Sequence, residues 1–212
     1  MIIKLKKELK VRKLFSVIAK NLFHDDYCIL KCKLIVLNQN LNYVKIAKFE
    51  NIVELLILGE DHRFYSHFGF DLIGIFRAVN KRLFYNKTEG ASIIEQQLVR
   101  VLISDYRKTF KRKIKEILLA TIISDFIPKN NIPIVYLKVA HFGTNLNGID
   151  SIITKLDPDN RNQISLEVGA EIIARLKYPE KLISEKKLLM RIEKRKMHLL
   201  YLYKKSRNGQ KN

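Results

Sequence analysis

The chain has 212 residues, enough for one full domain with its own core and little beyond it. Nearly half of it, 47%, is hydrophobic, which excludes a disordered chain; 8 glycines, 4 prolines and apolar residues at helical spacing indicate a mainly α protein with minor strand content. Forty Lys and Arg against 21 Asp and Glu give a formal charge of +19, which points to an anionic partner: nucleic acid, an anionic membrane surface or a phosphorylated substrate.

In chain order, Val11, Leu14, Phe15, Ile18 and Leu22 fall on one stripe of a helix whose other face is rich in Lys and Arg. Such a helix suits an anionic lipid interface or, equally, docking on its own domain. Leu30, Cys32, Leu34 and Val36 alternate with Lys31, Lys33 and Ile35, which reads as a strand over 29–37. On that reading Cys28 and Cys32 share one strand face as small buried hydrophobes, with no further Cys pair or His cluster to complete a metal site. A helix follows over 50–58, and Asp71 is placed to cap another bearing Leu72, Ile75, Phe76, Val79 and Leu83.

A loop around 85–90 leads to a helix with Ile94, Leu98, Val101 and Leu102 on one face, and Ile114, Ile117, Leu118 and Ile122 mark the next. Pro128 and Pro133 bracket a break, the segment from Ile134 to Ala140 is apolar, and Gly143 and Gly148 punctuate a turn-rich stretch. The run from Glu185 to Tyr203 is a basic amphipathic helix, and the tail from Ser206 is expected to fray. No stretch reaches the roughly 18–20 uninterrupted apolar residues that span a bilayer. No apolar run of signal type follows the N-terminal lysines. The expectation is a chain that meets a membrane from its surface.

Three polar segments could carry chemistry. Glu60 and Asp61 follow the apolar stretch ELLILG, and a carboxylate at the end of a buried element is partly desolvated, a setting suited to general-base work. Ser92 stands near a helix start, where free N–H groups favour an anion, and Gln96 and Gln97 add amide donors. Lys108, Arg112 and Glu116 are spaced i, i+4, i+8, so on a helix they form a cationic ladder beside one carboxylate, able to hold a phosphate or diphosphate. Taken singly, each segment also has a structural reading: a solvated helix end, a helix capped by Ser92 and a salt-bridged surface helix.

Together the segments resemble glycosyltransferase family 51, the peptidoglycan glycosyltransferases. The pattern E-D-x-x-F-x-x-H-x-G-x-D is met by Glu60, Asp61, Phe64, His67, Gly69 and Asp71. The second motif, G-[GA]-S-T-I-T-Q-Q, is met at Gly90, Ala91, Ser92, Ile94, Gln96 and Gln97, and R-K-x-x-E by Arg112, Lys113 and Glu116. A fourth is met at Tyr136, Leu137, Phe142, Gly143 and Gly148, and a weaker fifth at Leu166, Ala170 and Pro179. Order and spacing agree over about residues 45–180. The implied division is 1–44, a basic amphipathic helix and strand; 45–180, the glycosyltransferase-like domain; and 181–212, a basic helix and frayed tail.

The resemblance implies a mainly α, lysozyme-like transglycosylase fold with a small jaw subdomain. It implies a peptidoglycan glycosyltransferase that joins lipid II to a glycan carried on polyprenyl pyrophosphate. Glu60 would be the base, and Glu116 would assist the diphosphate leaving group, with Mg²⁺ or Mn²⁺ reaching Glu116 through that diphosphate. Asp61, Phe64, His67, Ser92, Gln96, Gln97, Arg100, Lys108, Arg112 and Lys113 would line the substrate site. The implied setting is the bacterial cytoplasmic membrane, peripheral and facing outward, with anionic lipid and a membrane-anchored cell-wall synthesis partner and no nucleic acid. Departures are Ile93 and Glu95 for two second-motif threonines, Arg100 for Lys, Val101 for Asn, Lys108 for Arg, Ile134 for an acid and Lys138 for Asn. Two readings follow: an active, divergent polymerase, or a degenerate relative that binds lipid-linked glycan or a partner without turnover.

Overall fold

The computed structural model describes residues 2–40, 47–71, 73–74, 80, 84, 92–158, 164–183 and 185–209. The helix expected to carry Leu72, Ile75, Phe76, Val79 and Leu83, and the loop at 85–90 with Gly90 and Ala91, lie outside the described residues. The helices are α1 (Ile2–Leu22), α2 (His24–Gln39), α3 (Glu50–Glu60), α4 (Ile94–Ile103), α5 (Phe110–Ala120), α6 (Ile123–Phe126) and α7 (Ile132–Val139). Strands β1 (His141–Gly143) and β2 (Leu146–Asn147) form an antiparallel pair, and α8 (Ile149–Leu156), α9 (Leu166–Lys177) and α10 (Lys186–Gly209) complete the chain. The protein is mainly α, as its composition indicates.

Two compact units emerge, each from two stretches of sequence: Met1–Asn40 with Arg63–Ile132, and Leu41–His62 with Pro133–Asn212. In the first, α1 packs on α2 and α5, and α4 packs on α2 and α5. The strand expected at 29–37 is helix instead. Leu30 and Leu34, four apart, are its fully buried side chains, and Asp25 and Asp26 in its first turn favour the helix dipole. Burying each leucine contributes about 1.5–3 kcal/mol. The period-2 alternation contained this helical pair, and the 16-residue length decides for helix. Cys28 and Cys32 are therefore exposed, on the face away from Leu30 and Leu34, and not buried as expected.

On α1 the apolar stripe is only partly used: Val11, Phe15 and Ile18 are half-buried, with Phe15 against Phe70, whereas Leu14 and Leu22 are exposed; Ala19, beside the stripe, is buried and Val17 is exposed. Helix α5 begins one residue after Thr109, whose Oγ1 accepts the Arg112 N–H at 3.2 Å. Lys108 thus precedes the cap, is exposed and does not continue the Arg112–Glu116 face, correcting the three-residue ladder.

In the second unit α9 packs on α3 and α10, burying Ile52, Leu55 and Leu56 with Ile172 and Ile173. Ser165 caps α9 by accepting the Val168 N–H at 3.2 Å. The basic C-terminal helix runs on through Gly209, so residues 206–209 are helical where fraying was expected; Ser206 Oγ donates to the Tyr203 carbonyl. The described strands lie at 141–147 and not at 29–37.

Candidate active site

The first-motif acids belong to the second unit. Helix α3 is apolar over Leu55–Gly59 and buries Ile52, Leu55 and Leu56, so its end delivers Glu60 from a packed segment. The Glu60 carboxylate is mostly enclosed, and Arg195 of α10 donates to its Oε1 at 3.0 Å and to the Gly59 carbonyl at 2.7 Å. Asp61 follows as a buried C-cap whose N–H donates to the Ile57 carbonyl at 2.9 Å. Arg195 escaped the sequence reading. It stands in the basic run RIEKRKMH, where no spacing separates it from its neighbours.

The rest of the first motif lies in the other unit. Phe64 is fully buried and His67 nearly so. Asp71 accepts from Arg63 Nε at 3.0 Å and from the Ile73 N–H at 3.1 Å. That second bond is the contact expected of a residue capping the helix after it.

Second- and third-motif residues converge in the same unit, because α4 and α5 pack together. Glu116, 1% exposed, stands at their centre. Arg100 grips it with two donors, Nε at 2.7 Å and Nη2 at 3.2 Å. Arg112, one turn earlier on α5, donates to the same carboxylate, and Lys113 Nζ lies 3.7 Å from Oε2. Lys113 also donates to Ser92 Oγ at 3.0 Å and to Gln96 Oε1 at 2.6 Å. Ser92 is therefore a partner of Lys113 and not the helix cap; the N-cap is Ile93, without a side-chain bond. Gln97 is half-buried on α4.

Among the described residues, three cations surround this one carboxylate. Burial holds the Lys113 ammonium below the ordinary lysine range, Glu116 pulls it up, and Arg100 and Arg112 push it down again. An arriving phosphate would relieve that repulsion. The same donors do not fit a metal bound directly to Glu116: its oxygens already face cations, and a dication would have to approach three like charges.

Lys129 was also missed by the sequence reading. Its Nζ donates to the His67 carbonyl at 2.7 Å and to Glu95, and lies 3.8 Å from the centre of the Phe64 ring. In the second unit the fourth-motif side chains serve the core: Tyr136, Leu137 and Phe142 are buried. Glu180, just after Pro179, ties to that segment through its N–H to Phe142 O at 3.0 Å and the Thr144 N–H to its own carbonyl at 2.8 Å.

The model of the family described as Transglycosylase matches residues 32–203. Penicillin-binding protein 1A of Rickettsia bellii (strain RML369-C) is 34% identical over 140 residues, covering 64% of this chain and 18% of that protein. Its counterpart from Escherichia coli (strain K12) is 36% identical over 129 residues, 60% of this chain and 15% of that protein. A monofunctional glycosyltransferase of Staphylococcus epidermidis is 32% identical over 145 residues, 65% of this chain and 51% of that protein. The matched region thus spans under a fifth of the penicillin-binding proteins and about half of the monofunctional relative.

Proposed function

Since the chain belongs to the transglycosylase family, we propose that it is a peptidoglycan glycosyltransferase, joining lipid II to a growing glycan with release of polyprenyl pyrophosphate. The observation that carries this reading is the cationic ring of Arg100, Arg112 and Lys113 around buried Glu116, a ready seat for a diphosphate. In the reaction, Glu60 takes the proton from the acceptor 4-hydroxyl as its oxygen attacks the anomeric carbon. The bond from that carbon to the diphosphate oxygen breaks, and the electron pair leaves with the diphosphate. Negative charge on the leaving group grows along this path, so fixed cations lower the barrier. Glu116 holds the two arginines in place rather than acting on the substrate alone. Mg²⁺ or Mn²⁺ would enter with the diphosphate whose charge it offsets, and Glu116, already facing three cations, would not hold it directly.

Contact with an anionic membrane completes the reading. No described helix is long and apolar enough to cross a bilayer. Leu14, Val17 and Leu22 on α1, with Ile29 and Val36 on α2, are exposed apolar side chains on a chain of net charge +19. That pairing of exposed apolar groups with positive charge supports binding at an anionic lipid surface.

A second reading, binding without turnover, draws on Glu95, an acid buried beside the first-motif loop where the family pattern has threonine. One assay separates the two. Purified protein is incubated with labelled lipid II and Mg²⁺ or Mn²⁺ in detergent, and products are resolved by length. Polymer is expected, and Glu60→Gln and Glu116→Gln should each abolish it while helix content persists. Tight lipid II binding with no polymer, under conditions in which a control polymerase works, would establish the binding reading instead.

A further inference from the structure

Glu95 departs from the second-motif pattern and, among the described residues, is the most enclosed acid, with no exposed surface. An ionised carboxylate in that position needs a matched counter-charge. Lys129 supplies it, from the short turn Lys129–Asn131 that lies outside every motif. The same ammonium reaches the His67 carbonyl and the face of Phe64, two first-motif positions. His67 Nδ1 in turn lies 3.9 Å from Glu95 Oε1. The neighbours of Glu95 point elsewhere: Gln96 and Ser92 both accept from Lys113. The start of α4 is therefore pinned by Lys129 through Glu95 and, through Gln96 and Ser92, holds Lys113.

We propose that Glu95 and Lys129 are a linked pair of positioning residues that fix the start of α4 and thereby set where the Lys113 ammonium meets a diphosphate. The diphosphate as ligand rests on the proposed function; the coupling of the pair to Lys113 does not. A threonine hydroxyl is neutral and would leave the Lys129 ammonium without this counter-charge, whereas the Glu95 carboxylate makes a charge-assisted bond. Removing one partner takes away the charge matched to the other, while removing both restores a neutral contact. The two changes must then be strongly non-additive.

Lys129→Met, Glu95→Gln and the double variant test this by three readouts: the thermal midpoint, the side-chain carbon NMR signal of Lys113 (assigned with Lys113→Arg), and the Kd for a polyprenyl diphosphate in detergent. The Lys113 signal is expected to move in every folded variant, and the Kd to weaken about tenfold. The double variant is expected to recover the midpoint lost by the single changes without recovering the Kd. A purely structural pair would lower the midpoint and leave both the Lys113 signal and the Kd where they were, which overturns the proposal. Should a single variant fail to fold, the Lys113 signal and the Kd of the double variant decide the matter in the same way. If the wild type does not bind the diphosphate at all, the proposed function fails, and the Lys113 signal still decides the positioning claim.

Discussion

Arg195, 135 residues beyond Glu60 in sequence, places one nitrogen against two neighbours: the Gly59 carbonyl at 2.7 Å and the Glu60 carboxylate at 3.0 Å. Anchoring to the main chain fixes the guanidinium, and the fixed guanidinium fixes the carboxylate. A base that must meet a hydroxyl at hydrogen-bond distance depends on that orientation. Arg195→Met is expected to lower polymerisation at least about tenfold with little change in lipid II binding, because orientation of a base acts on the chemical step. Equal loss of binding and turnover would assign Arg195 to the fold.

Two glycines near the first motif should respond very differently to a methyl group. A Cβ at Gly69, where φ is +83°, would sit 2.5 Å from the Ala120 carbonyl oxygen and 2.6 Å from Thr121 Cα, all main chain that cannot step aside. Gly69→Ala is expected to cost more than about 2 kcal/mol in urea unfolding. At Gly59 a Cβ would meet Leu199 Cδ2 at 2.5 Å and Arg195 Nη2 at 3.2 Å, both ends of flexible side chains. Gly59→Ala should cost less, about 1–2 kcal/mol, because side chains rather than main chain must shift, although Leu199 is fully buried. Its larger effect should be on turnover, by shifting Arg195 against Glu60. Equal destabilisation by the two substitutions would refute the distinction.

How much of this was legible in the sequence follows from how local each signal is. The motif spacing brought Arg112, Lys113 and Glu116 together correctly, since one helix carries all three. Lys108 was misplaced because Thr109 caps the helix just after it, and a cap shifts a face that periodicity alone would extend. Residues 29–37 were misread because Leu30 and Leu34 satisfy both an alternating and a four-residue period. Arg195 and Lys129 were invisible for a different reason. Each acts on a residue far away in sequence, and nothing in a lysine- and arginine-rich chain marks which cation folds back onto which acid.

The ring around Glu116 makes a prediction that needs no turnover. Inorganic diphosphate should raise the thermal midpoint of the wild type, since a ligand that binds the folded state alone stabilises it. Glu116→Gln removes the internal counter-charge from Arg100, Arg112 and Lys113, so it should start from a lower midpoint and gain more from diphosphate. Differential scanning with and without diphosphate reads both shifts. No shift in either protein would mean that this ring is a structural cluster and not an anion seat.

Glu180 gives the pH dependence of the second unit. Burial works to raise its pKa, but Lys155 Nζ and Arg175 Nε, each 2.9 Å away, outweigh it, so the carboxyl stays below its ordinary range. A depressed folded-state pKa means that the pair's stabilisation is complete above the unfolded value of 4.5 and is lost as pH falls through the folded value. Because Glu180 also bonds through its main chain to Phe142 and Thr144, loosening its side chain should be felt at β1. Glu180→Gln is thus expected to be less stable than wild type near neutral pH. The gap between their urea midpoints should close as the pH is lowered below about 4.5. A gap that stays constant from neutral pH down to strongly acidic solution would show that the charge on Glu180 contributes nothing, and that only its shape and main-chain bonds matter there.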